Sequence, residues 1–115
     1  RQLVKQNIIS CSSVLIRRSL LLEYPMEQSG VLHEDFAVWL RILREKHIYA
    51  YGLNQPFLIY RVSAGSSSGN KWKAARMTFR VYRYIGLPLV AVLYYWLCYT
   101  KRSFFKYKNL KVKRK

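Results

Sequence analysis

GVLHEDFAVWLRILREKHIYAYGL, residues 30–53, decides how the chain is read. Asp35, the only aspartate in 115 residues, stands beside Glu34 at the start of a helical pattern. Phe36, Trp39, Leu40 and Leu43 recur at i, i+3, i+4 and i+7, which predicts a helix with one buried face. Arg41, Arg44 and Glu45 fall mostly on the opposite side. Acidic side chains at a helix start meet free backbone N–H groups and the positive end of the dipole, so the pair is explained by capping alone. A carboxylate held there is also ionised and fixed in direction, which suits a general base. Both readings stand on these residues.

Outward from this helix the chain is apolar and strongly basic. Hydrophobic residues make up 51% and aromatics 16%, a composition that builds a core despite a net charge of +16. Residues 1–45 carry six cations and all five acidic groups; residues 46–115 carry fifteen cations and none. Such asymmetry predicts a polyanionic partner, either an anionic membrane surface or nucleic acid, with a solvated basic tail as the plainer reading. Cys11 and Cys98 have no metal or disulfide spacing and read as small hydrophobes in a reducing setting. His33 and His47 have no ligand spacing either, so no metal site is predicted. The chain begins with Arg and shows no charged-then-apolar leader, so it is expected to be a fragment whose upstream part is missing.

NIISCSSVLI (7–16), IYAYGL (48–53) and PFLIYRVS (56–63) are rich in β-branched and aromatic residues and predict three strands. RRSLLLEYP (17–25) predicts a short helical turn stopped by Pro25. YRVSAGSSSGNK (60–71) places Arg61, Ser66, Ser68 and Lys71 on one small-residue segment, suited to a phosphate or to a plain linker. KWKAARMTFRVYRYIG (71–86) predicts a second helix. Lys73, Arg76, Arg80 and Arg83 share an arc of about 80° on it, opposite Ala74, Ala75, Phe79, Val81, Tyr82 and Ile85. LVAVLYYWLCY (89–99) is apolar all round. Broken from what precedes it by Gly86 and Pro88, it offers about 18 Å of helix against a bilayer core of about 30 Å, too short to span. With Trp96 among its tyrosines, and Lys101 and Arg102 opening a basic tail, it predicts a segment lying on an anionic leaflet.

In order, NIISCSSVLIRRSLL, HEDFAVWLRILREK, AYGLNQPFLIYRVSAGSSSGNK and KAARMTFRVYRYIGL resemble the C-terminal half of a bacterial family 2 glycosyltransferase, over roughly residues 7–87. The resemblance implies an α/β class, a fragment of a GT-A fold. It comprises about three strands and a central Glu-Asp helix, followed by two C-terminal helices, the last apolar and membrane-associating. The chain is thus expected to divide into 1–70, the C-terminal half of the transferase domain that the resemblance implies, and 71–115, which its own patterning predicts to be a membrane-associated basic helix, apolar helix and polybasic tail. Asp35 would be the catalytic base, with Glu34 supporting it. Arg61, Ser66, Ser68 and Lys71 would meet the donor diphosphate. Lys73, Arg76, Arg80, Arg83, Trp96, Lys101 and Arg102 would meet the membrane.

What the resemblance further implies is an inverting transfer from a nucleotide-diphosphate sugar to a cell-surface glycan or lipid-linked acceptor. The place is the cytoplasmic face of the inner membrane, where such enzymes extend lipopolysaccharide and related glycans. No cofactor is expected in this chain, while a divalent metal, Mn or Mg, is expected in the full-length enzyme. The nucleotide-binding half and its Asp-x-Asp are missing here, so the chain alone is expected to be inactive. The alternative is a small basic module for a membrane surface or nucleic acid, although no nucleic-acid docking motif is present.

Overall fold

A computed structural model describes residues 2–27, 30–59 and 71–110. Five helices carry the fold: α1 (Gln2–Lys5), α2 (Arg18–Glu23), α3 (Glu34–Glu45), α4 (Lys71–Tyr84) and α5 (Leu89–Leu110), with a 3₁₀ turn at Cys11–Ser13.

The predicted α/β class is not what the chain adopts. Among the described residues there is no strand; the architecture is all-helical. Residues 7–16 are interrupted by the 3₁₀ turn, with extended backbone only at flanking positions such as Ser10 and Val14. Residues 48–59 form neither helix nor ladder, and Tyr49, Tyr51 and Ile59 are almost wholly exposed. The remainder of the third predicted strand, 60–63, lies outside the described residues. β-Propensity measures how well a side chain suits a pleated, half-buried surface, and it supplies no hydrogen-bonding partner. These segments have the composition of strands, and among the described residues no strand lies beside them to pair with.

α3 is the centre of the molecule. Phe36, Ala37, Val38, Trp39, Leu40 and Ile42 are all buried, far more than one face, because other elements enclose the helix on several sides. Val81 and Tyr82 of α4, Val92 of α5, Leu3 of α1 and Tyr24 complete the same cluster. The two stretches 1–70 and 71–115 therefore contribute to one core.

Aromatic rings organise it. Phe36 lies edge-on to Tyr82 with centroids 6.1 Å apart, and 6.0 Å from Tyr99. The fully buried Tyr82 donates its hydroxyl proton to the Val4 carbonyl, which ties α1 to α4. Burial raises the Tyr82 phenol far above its usual pKa, with Tyr99, Cys98 and Tyr95 adding to the shift.

α4 ends where glycine permits it. Gly86 has φ +72°, its N–H bonds to the Arg83 carbonyl at 3.1 Å, and the Leu87 N–H bonds to the Tyr82 carbonyl at 3.2 Å. This is a Schellman closure with glycine in the left-handed position. α5 then starts after Pro88 and runs 22 residues, twice the apolar stretch that predicts it. The helix continues through Lys101 and Arg102 because their charges stand in solvent. No helix among the described residues is long and apolar enough to cross a membrane.

Candidate functional site

The acidic turn occupies the first two positions of α3. His33 is the N-cap residue, with extended backbone and no side-chain cap hydrogen bond. Neither acidic group is therefore the cap itself. Glu34 reaches backward instead: its Oε1 accepts the Gly30 N–H at 2.9 Å, and Gly30 turns with φ +62°. That bond braces the loop entering the helix. Asp35 is half-buried at the second position of α3. The next residue, Phe36, is fully buried between Tyr82 and Tyr99.

Two polar atoms near this turn went unnoticed in the sequence. His33 Nε2 and Trp39 Nε1 are buried and have no hydrogen-bond partner. Trp39 stands four residues after Asp35, on the same side of the helix. A buried polar atom without a partner costs about 1–3 kcal/mol. No spacing rule reveals such atoms, because the cost depends on what packs over them.

The far end of α3 is clamped by charge. Arg44 donates to the Ile85 carbonyl at 2.8 Å, joining α3 to the end of α4. The Arg41 guanidinium lies over the Tyr24 ring, 5.0 Å from its centroid, near Tyr84 at 5.9 Å, and bonds Glu45 at 3.3 Å. The Tyr24 hydroxyl, then Arg41, hold the Glu45 carboxyl below its usual pKa. Lys46 pairs with Glu23 of α2. His47, just past the helix, has φ +52°, a left-handed position normally left to glycine or asparagine.

Of the residues predicted to meet a donor diphosphate, Lys71 opens α4, while Arg61, Ser66 and Ser68 lie outside the described residues. Lys73, Arg76, Arg80 and Arg83 are all exposed on α4, as are Lys101 and Arg102 on α5. Trp96 is placed differently. Its indole N–H donates to the Ala75 carbonyl at 2.8 Å, and its ring meets Phe79 edge-on at 6.1 Å. It is a helix-packing residue here. Tyr95 and Tyr99 also turn inward, and the large apolar side chains that α5 leaves in solvent among the described residues are Leu89, Val90, Leu93, Tyr94, Leu97 and Phe105. Trp72, Lys73, Ala75, Arg76, Phe79 and Trp96 line an open groove of about 450 Å³ where α4 meets α5. Among the described residues no group of three or more His, Cys, Asp or Glu could hold a metal ion.

An acidic helix start anchored in an aromatic core, beside a basic helix pair, has relatives among known proteins. Over most of its own length the chain is related to a part of bacterial glycosyltransferases. It is 40% identical over 89 residues to TuaG of Bacillus subtilis, a glycosyltransferase named for teichuronic acid biosynthesis, covering 71% of this chain and 32% of that protein. An uncharacterized glycosyltransferase of Haemophilus influenzae is 32% identical over 110 residues, covering 93% of this chain and 42% of that protein. WfgD of Escherichia coli, a UDP-Glc:α-D-GlcNAc-diphosphoundecaprenol β-1,3-glucosyltransferase, is 35% identical over 113 residues, covering 94% and 44%. The chain thus spans 32% to 44% of the length of the curated relatives it matches. No family model matches it, and no solved structure does.

Proposed function

We propose that this chain is the acceptor-side, C-terminal part of an inverting family 2 glycosyltransferase, with Asp35 as the general base. One observation carries the reading. Asp35 is part-exposed in the first turn of a helix whose next residue is locked in the core, and it does not serve as the cap. In the reaction, one Asp35 oxygen takes the proton of an acceptor hydroxyl. As the proton leaves, the acceptor oxygen bonds the anomeric carbon of a nucleotide-diphosphate sugar, and the bond to the diphosphate breaks on the opposite face. A positioned base contributes about 10²- to 10⁴-fold. Glu34 acts at one remove, holding the 30–34 loop through the Gly30 N–H.

The acceptor is a lipid-linked or cell-surface glycan, the kind of molecule the Escherichia coli relative is named for. The donor-binding part, the divalent metal that the resemblance implies, and its ligands belong to a partner segment outside this chain. Arg61, Ser66, Ser68 and Lys71 meet the donor diphosphate. The enzyme works at the cytoplasmic face of the inner membrane. Exposed Leu89, Val90, Leu93 and Leu97 with Lys101 and Arg102 support peripheral attachment, apolar side chains entering the interface and cations meeting anionic headgroups. The 115 residues alone turn over nothing.

The test is a chimera in which this chain replaces the matching segment of WfgD, assayed for glucose transfer from UDP-Glc to GlcNAc-diphosphoundecaprenol. Transfer is expected from the chimera and not from the chain alone, and Asp35→Asn should abolish it while leaving the circular dichroism unchanged. Full activity in the Asp35→Asn chimera would leave the carboxylate with no role beyond the helix dipole.

A further inference from the structure

The groove between α4 and α5 has a chemistry of its own. Trp96 forms a rigid wall, its N–H spent on Ala75 and its face set by Phe79. Trp72 stands 83% exposed at the rim. The polar groups in the lining are Lys73 and Arg76, with the exposed Arg80 one turn beyond, and neither α4 nor α5 contains an acidic residue. Among the described residues, the side chains that line the groove therefore carry cations and donors and no carboxylate. A phosphate presents acceptors alone, which suits such a lining. The rest of the lining is aromatic and aliphatic. Beside Trp96, Leu93 and Leu97 carry the apolar surface onward along α5 into solvent. A ligand that fits has a phosphate at one end and a hydrocarbon chain leaving along α5.

We propose that this groove holds the phosphate and first isoprenoid units of a polyprenyl-diphosphate-linked acceptor. The inference rests on the lipid-linked acceptor reading above and adds a place for the lipid. Its volume lies within the range of about 300–1,000 Å³ usual for small-molecule sites.

Farnesyl diphosphate, a short water-soluble polyprenyl diphosphate, is the probe, titrated against the intact 115-residue chain while tryptophan fluorescence is followed. Saturable binding is expected, about tenfold or more tighter than inorganic pyrophosphate or UDP. Arg76→Gln and Trp72→Ala, both at exposed positions, should each weaken it several-fold. The Lys101→Gln/Arg102→Gln pair should stay within about twofold. Equal affinity for pyrophosphate or UDP, or an Arg76→Gln variant that binds as the parent does, would overturn the assignment. Asp35→Asn should bind farnesyl diphosphate unchanged. A failed titration thus removes the lipid subsite and leaves the base, which is read from transfer in the chimera.

Discussion

Tyr82→Phe isolates one buried hydroxyl. Tyr82 has no solvent exposure, and its hydroxyl bonds the Val4 carbonyl, the side-chain bond joining α1 to the helix pair. Removing it leaves a part-buried carbonyl without that donor, a loss of about 1–3 kcal/mol. At this chain length that lowers the melting temperature by roughly 3–6 °C per kcal/mol. The pH dependence is the sharper test. Burial raises the folded-state phenol above its unfolded value near 10, so this stabilisation is full below pH 10 and is lost as pH rises. At pH 11 the unfolded chain releases the Tyr82 proton while the folded chain keeps it, which favours unfolding by about 1.4 kcal/mol. Other tyrosines and lysines titrate in both proteins and cancel in the difference. Thermal melts followed by circular dichroism at pH 8 and pH 11 should therefore show the gap between parent and Tyr82→Phe narrowing by about that amount. A gap that stays constant would mean that Tyr82 titrates alike folded and unfolded. The buried hydroxyl bond would then be absent from the molecule in solution.

Three further changes test the packing. His47→Gly should raise the melting temperature, since φ +52° costs a β-carbon-bearing residue about 1 kcal/mol that glycine avoids. Gly86→Ala should do the reverse by about 1–2 kcal/mol, and the cause is conformational alone because nothing lies within 4 Å of the added β-carbon. Trp96→Phe should cost about 0.5–1.5 kcal/mol in urea unfolding for the lost hydrogen bond to Ala75; no loss would show that the indole faces outward.

Legibility in the sequence followed the kind of information each element needed. α3 and α4 could be read because their apolar positions repeat at the helical period, and the stripe at 73, 76, 80 and 83 lies in solvent where the arc places it. The depth of α3 could not. Ala37 and Val38 fall off the predicted face, and only contacts with distant elements bury them. The strands were misread because Ile, Val and Tyr signal a pleated surface without saying whether a partner strand exists. Trp96 was placed at the membrane by its company of tyrosines, and its inward turn depends on the Ala75 carbonyl twenty-one positions earlier. The acidic pair was visible as residues from the start. That His33 is the cap and Glu34 the brace needed the fold.

The charge distribution follows from the same packing. Fifteen cations and no anions after residue 45 would oppose folding if they met in the interior, yet every described Lys and Arg of α4 and α5 whose side chain is placed stands in solvent. There their repulsion is screened over about 8–10 Å at ordinary salt. What the helices bury is Ala75, Met77, Thr78, Val81, Tyr82 and Val92, and the Thr78 hydroxyl is satisfied by the Ala74 carbonyl at 2.9 Å. The core is thus electrically neutral and the basic side chains stand at the surface. Holding Trp96 on Ala75 while Arg76 points outward fixes an aromatic wall beside a cation, an arrangement that neither helix makes alone. Loss of the α4–α5 contact would leave all the cations in place and remove the groove. Specific binding of a phosphate-bearing lipid should therefore fail before general attraction to anionic surfaces does.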